Sequence, residues 1–248
     1  MTALMGLTSR LKVAKLHLIT DVRREQGDFR EFVVEALHGG VDLLQVRDAR
    51  ASEEELAEAL AIAQSAALQL NATVVAGTSL SVAERFRADV VHVGAAGSSV
   101  DSARRVLPQH SLVGRSVHDS AALRKTRADY LMVGPVFGES FEGVRFPGLD
   151  LVRDAAATHR VDDPRGTPWF AVGGIDAGTI ERVVEAGALR VAVSSAITRA
   201  ADPQSSAAAL KKVLLEAWGR TPGMEEYALK AFGGGQGLSF APRRVAGS

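Results

Sequence analysis

Short, continuously apolar runs recur eight times along this chain with helix-patterned sequence between them, and that alternation limits what it can fold into more than any other feature. The runs cover residues 16–21, 41–47, 72–76, 89–94, 112–117, 130–137, 169–176 and 190–197. Runs such as Tyr130-Leu131-Met132-Val133 do not alternate apolar with polar, as expected of parallel strands buried on both faces. Helical periodicity fills the intervals. Phe29, Phe32, Val33, Ala36 and Leu37 share one face before Gly39-Gly40 ends the segment. Ser52 and Glu55 form a capping-box signal ahead of Leu56, Leu60, Ala63, Ala67 and Leu70. Further helices are expected over 79–87, 99–107, 120–126, 150–159 and 177–186. Asp202-Pro203, a helix cap followed by proline, opens a last helix running to Trp218.

A similar phrase precedes four of the strands: Gly40-Val41-Asp42, Arg87-Ala88-Asp89, Arg127-Ala128-Asp129 and Gly187-Ala188-Leu189. This is weak repetition of a single strand–helix unit. Eight such units in about 200 residues fit an α/β chain folded as a single (β/α)8 TIM barrel. A doubly wound open sheet is the rival, but it would be large for one sheet and would place its glycine-rich turn early. The barrel is therefore expected over residues 16–218, with 1–15 as an N-terminal leader or short helix. Residues 219–248 form a C-terminal tail in which Met224 to Phe232 has helical character and Gly233-Gly234-Gly235-Gln236-Gly237 reads as flexible.

Composition removes several classes of function. Lys+Arg and Asp+Glu balance at 29 each, so no global field draws in nucleic acid or an anionic membrane. There is no cysteine, hence no thiolate nucleophile, disulfide or Cys-ligated metal, which is compatible with a cytoplasmic setting. Neither a signal peptide nor a membrane-spanning run is read from the sequence.

In a barrel of this kind the site lies at the C-terminal ends of the strands, and phosphate often binds after the last two. Those turns hold Gly173-Gly174 and Ser194-Ser195, which would expose backbone N–H groups toward an anion. Period-two alternation brings Gln45 and Arg47 to one face, His92 and Gly94 to another, and Ser116 and His118 to a third. Arg47 suits a phosphate or carboxylate, with an interior ion pair to Asp21 or Asp48 as the equal alternative. His92 reads more readily as a satisfied core histidine. His118, at a strand tip, is the stronger acid/base candidate because its ordinary pKa lies near neutrality. Glu139, in the loop 138–147, is a second acid/base candidate, with a solvated surface carboxylate as its bland reading. His17, His38, His110 and His159 show no metal-ligand spacing, so no metal site is expected from them.

At these residues the chain resembles the thiamine phosphate synthase family, with its thiazole tautomerase branch. The resemblance runs from Leu16 to Ala217. It rests on Leu18-Ile19-Thr20-Asp21, Gln45-Val46-Arg47, Val91-His92-Val93-Gly94, Gly114-Arg115-Ser116-Val117-His118, Asp129-Tyr130 leading to Gly134-Pro135-Val136-Phe137, Ala171-Val172-Gly173-Gly174-Ile175 and Val191-Ala192-Val193-Ser194-Ser195-Ala196-Ile197. It implies a (β/α)8 barrel, commonly dimeric, so a homodimer is expected. The synthase joins a pyrimidine diphosphate to a thiazole phosphate using Mg2+, and the tautomerase rearranges a thiazole carboxylate phosphate.

The departures are informative. The synthase's Gln-x-Arg-x-Lys run ends here in Ala49, followed by Arg50. Its Asn-Asp-Arg is replaced by Gly77-Thr78-Ser79, and its second metal aspartate falls near Gly97. Glu139-Ser140-Phe141-Glu142 stands in place of Thr-x-Thr-Lys, and Pro135 in place of the tautomerase histidine. The thiazole-phosphate half of the motif set is kept while the Mg2+ and diphosphate half is altered. The sequence thus points to a small-molecule phosphate substrate and a tautomerase-like proton transfer with His118 or Glu139 as base. An active synthase, with Mg2+ as its cofactor, and a non-catalytic phosphate-ligand binder are the alternatives.

Overall fold

The computed structural model describes residues 6–77, 79–95, 97–138 and 146–232. Eight parallel strands close into a barrel in chain order, with β8 (Val191–Val193) paired back to β1 (Leu16–Thr20). Between them run β2 (Leu43–Val46), β3 (Thr73–Gly77), β4 (Val90–Val93), β5 (Leu112–Val117), β6 (Tyr130–Val133) and β7 (Trp169–Val172). The crossovers are α2 (Phe29–His38), α3 (Glu53–Leu70), α4 (Leu80–Phe86), α5 (Val100–Val106), α6 (Ser120–Lys125), α7 (Gly148–Thr158) and α8 (Ile180–Glu185). A short α9 (Ser195–Thr198) and the long α10 (Pro203–Arg220) follow β8, while α1 (Leu7–Val13) and α11 (Met224–Phe232) lie outside the repeat. The expected (β/α)8 barrel is the fold.

Helix ends follow the local chemistry read from the sequence. Ser52 and Glu55 complete a reciprocal capping box on α3, and the Asp202 side chain accepts from Ser205 N at the start of α10. Several strands end earlier than expected, and two show the reason. The run 190–197 stops being strand at Val193, whose pairing with Leu18 is the last rung to β1, and Ser194 O then accepts from Ile197 N and Thr198 N to start α9. The run 130–137 leaves the sheet at Val133, before Gly134-Pro135, where proline has no N–H to give a ladder.

Alternation along each strand sorts the side chains into two cores. Leu16, Leu18, Leu44, Val46, Val91, Val93, Leu131, Val133, Trp169 and Ala171 point outward and pack under the helices. Leu43, Val75, Val90, Tyr130, Met132, Phe170 and Ala192 point inward and fill the barrel. The repeated phrase before the strands also finds its role. Asp42 carboxylate Oδ2 accepts from Lys15 N and Leu16 N, and Asp129 Oδ2 accepts from Val113 N. These aspartates hold the first residues of neighbouring strands, so a one-residue slip would leave buried N–H groups unpaired.

The N-terminal mouth of the barrel is closed. Leu7, Leu11 and Ala14 join the inward core from α1. Arg190, fully buried, donates to Lys12 O at 2.8 Å and to Tyr227 Oη at 3.1 Å, and stacks against Trp218 and Tyr227. The stretches set apart as leader and tail therefore each supply a helix that docks under the barrel, with Met224, Tyr227 and Ala231 buried on α11. Residues 1–5 and 233–248 lie outside the described residues. No helix among the described residues is long and apolar enough to cross a membrane.

One glycine is dictated by packing rather than by backbone angle. A Cβ on Gly114 would stand 2.1 Å from the Tyr130 ring, which occupies that space inside the barrel. Gly114→Ala is expected to destabilise the fold by about 1–3 kcal/mol, the usual cost of overpacking a dense core. Denaturant unfolding would check it, and an unchanged midpoint would contradict this packing.

Candidate active site

The C-terminal mouth is built as a floor, two walls and two turns. The floor is the top inward layer: Ile19, Gln45, His92, Ser116, Met132 and Val172. Above it lies a central cavity of about 640 Å³, walled on one side by Gly94, Ala95, Gly97 and Ser98 after β4 and on the other by Pro135 and Gly173. An adjoining cavity of about 380 Å³ is lined by Thr20, Asp21, Asp48, Ala49, Arg50, Ser194 and Thr198. Ile19 and Arg47 line both, so the two form one cleft divided at Arg47.

Arg47 makes no ion pair among the described residues, and the interior pairing with Asp21 or Asp48 weighed above is not formed. Those carboxylates instead turn an oxygen to their own loops: Asp21 Oδ1 accepts from Arg23 N at 3.0 Å and Asp48 Oδ1 from Arg50 N at 2.8 Å. The guanidinium is left to meet an anion in the cleft.

His92 is both core residue and floor. One ring nitrogen lies 2.9 Å from Ser116 Oγ and the other 3.2 Å from Tyr130 Oη, so the chain Ser116–His92–Tyr130 runs from the cavity into the barrel. Burial, then the positive charges of Arg47 and Arg115, push its pKa down to about 3. The imidazole is neutral at ordinary pH and serves as a hydrogen-bonding relay, not a cation. Beneath it, burial and the neighbouring His92 hold His17 well below the usual histidine range, the Gln45 amide opposing this only weakly. Tyr130 belongs to this chain; the family resemblance included Asp129-Tyr130, but no reading of the sequence gave Tyr130 a role in the site.

His118 stands at the tip of β5 on the cavity wall, exposed, with Nδ1 donating to Gly134 O. That bond places the proton on Nδ1 and leaves the Nε2 lone pair to accept one. The two turns lie beyond. Gly173 adopts φ +108° and Gly174 φ +63°, and Cβ atoms there would meet Pro135 at 2.7 Å and Phe137 O at 2.8 Å. Both positions demand glycine on strain and on space. None of the N–H groups of Gly173, Gly174, Ser194 or Ser195 donates to an acceptor among the described residues. Ser194 lines the smaller cavity, whereas Ser195 is the exposed first residue of α9 and Gly174 is exposed beside Gly173. The structure therefore brings Gln45, Arg47, Ser116, His118, Gly173 and Ser194 to one cleft, with Gly174 and Ser195 at its rim. Glu139 lies outside the described residues.

The resemblance implies Mg2+, and the residues here do not fit it. The corresponding positions hold Gly77, Thr78, Ser79 and Gly97, none a carboxylate, and no group of three or more His, Cys, Asp or Glu converges among the described residues.

The protein is thus a (β/α)8 barrel whose mouth joins a polar cavity to N–H groups, after its last two strands, that are unpaired among the described residues. Comparison with known proteins narrows this. The family model described as thiamine monophosphate synthase matches residues 16–197, and the chain belongs to that family. Thiamine-phosphate synthase of Saccharopolyspora erythraea is 41% identical over 220 residues, spanning 84% of this chain and 96% of the relative. That of Mycolicibacterium smegmatis is 41% identical over 218 residues, spanning 83% and 94%. A solved thiamine phosphate pyrophosphorylase from Pyrococcus furiosus superposes with a TM-score of 0.72 at 27% identity, covering 86% of this chain and 99% of that one. A 3-hexulose-6-phosphate synthase structure, TM-score 0.56 at 19% identity, shares the fold alone.

The depressed His92 pKa has a stability consequence. Folding favours the neutral ring, so its contribution is complete above the unfolded value of 6.5 and is lost as pH falls from there toward about 3. Denaturant midpoints measured across that range should fall more steeply in the wild type than in His92→Gln; parallel curves would contradict the assignment.

Proposed function

We propose that the chain is a thiamine-phosphate-synthase-type transferase, joining a pyrimidine diphosphate to a thiazole phosphate. The single observation behind this reading is the divided cleft. A neutral, hydrogen-bonding cavity over Gln45, His92 and Ser116 suits an uncharged nitrogen heterocycle. Arg47 sits where the cavities join, and the turns at Gly173 and Ser194 offer N–H groups to a phosphate monoester. In the reaction a bond to thiazole nitrogen forms as the bond to diphosphate breaks, and Arg47 would stabilise the departing anion. Synthases 41% identical over almost their whole length support the same assignment.

A tautomerase-like proton transfer is the second reading. It is favoured by the Nε2 of His118, free among the described residues, and by the absence of carboxylates at positions 77, 78, 79 and 97. Pro135, where that branch carries histidine, holds no proton and weakens it.

Incubating the protein with both synthase substrates and following thiamine phosphate separates the two. Product at ordinary enzyme rates, about 1 s⁻¹ or faster, supports the transferase. No product, with turnover of the thiazole carboxylate phosphate lost in His118→Ala, would replace it by the second reading. Ser194→Asp, a change at an exposed position, should weaken thiazole phosphate binding by at least about tenfold by setting a carboxylate against the phosphate; unchanged affinity would remove that turn from the site.

A further inference from the structure

Among the described residues, the central cavity is lined by Gln45, Arg47, His92, Ser98, Ser116 and His118 as its polar side chains, and by no carboxylate. Arg47 is its single guanidinium among the described residues and reaches the adjoining cavity as well, where Arg50 joins it. Divalent cations such as Mg2+ need hard oxygen ligands, carboxylates foremost. Where the family's metal carboxylates are expected, this chain has Gly77, Thr78, Ser79 and Gly97. The wall after β4 is nonetheless firmly tied. Arg115, on the outer face of β5, donates Nη1 to Ser98 O at 2.6 Å and Nη2 to Ala95 O at 2.7 Å. Gly94, Ala95, Gly97 and Ser98 line the cavity, so this bridge sets the position of its wall. A planar fork can span two carbonyls at once, which the point charge of a lysine does less well. The positive end of the guanidinium also lies close enough to lower the pKa of His92.

We propose that the cleft binds the phosphate groups of its ligand without a divalent cation, Arg47 meeting the anion and Arg115 acting as a positioning residue that holds the wall a metal would otherwise organise. This rests on the phosphorylated-ligand reading above and deepens it. Asp21 and Asp48 line the smaller cavity together with Arg47, and each accepts from a backbone N–H of its own loop.

The test is calorimetric titration of inorganic pyrophosphate into the full chain, once in EDTA and once in excess Mg2+, with dissociation constants corrected for pyrophosphate–Mg2+ complexes. The two constants are expected to agree within about threefold, less than 1 kcal/mol. Arg47→Ala should weaken binding by at least about tenfold in EDTA. Arg115→Met should weaken it by about tenfold while raising hydrogen exchange at residues 94–98 and leaving the global unfolding midpoint nearly unchanged. A purely structural arginine would instead lower the midpoint without that local signature, and would overturn its positioning role. Binding seen only with Mg2+ overturns the proposal, and its loss in Asp21→Asn or Asp48→Asn would assign a displaced metal to the smaller cavity. Absence of binding in both conditions overturns it as well. Metal-independent binding with no thiamine phosphate formed upholds this inference and removes the transferase reading; product formation with binding confined to Mg2+ does the reverse.

Discussion

Closure of the sheet is the constraint on which everything else hangs. Once β8 pairs with β1, no strand edge remains, every strand is covered on both faces, and the helices can lie only outside. The same closure forces alternate residues of eight strands into one narrow interior, and the last inward residue of each strand into one mouth. His92, Ser116 and Gln45 converge because their strands are neighbours in the ring or face one another across it, with His92 paired in register to Gly114. The cleft is thus a by-product of the ladder, and the aspartates that hold strand starts at the far end help fix it.

The interior carries polar groups at a cost. His17 has both ring nitrogens buried without a hydrogen-bond partner among the described residues, and Gln45 Oε1 is in the same condition. Burying such groups unpaired costs about 1–3 kcal/mol each on mutational scales. The outer core of leucines, valines and alanines under the helices offsets this, while Tyr130, Phe170 and His17 pack edge-on within the barrel. The mouth, by contrast, carries turn N–H groups that are unpaired among the described residues.

Departures from the family pattern fall after β2, β3, β4 and β6 in the sequence. The turns that would hold a phosphate monoester keep their glycines, each enforced by a positive φ and by close contact with the loop after β6. The positions that would bring carboxylates to a metal are small or hydroxylated, and Arg115 ties the wall beside them. Family membership and the lack of carboxylates at the family's metal positions are both features of this one chain.

Much of this was legible in the sequence because two periodicities carry it. Continuous apolar runs separated by 3.6-period helices imposed the strand count, the barrel and the end of the barrel where a site must lie, and the Gly173-Gly174 turn announced itself by its residues. Strand ends were less legible: Ser194 to Thr198 continues an apolar pattern, and only the lack of a further rung on β1 turns it into helix. Tyr130 within the relay, the freedom of Arg47 from Asp21 and Asp48, and the clamp by Arg115 were decided by tertiary structure alone. Each depends on which side chains meet across strands far apart in the chain, and local sequence does not encode those distances.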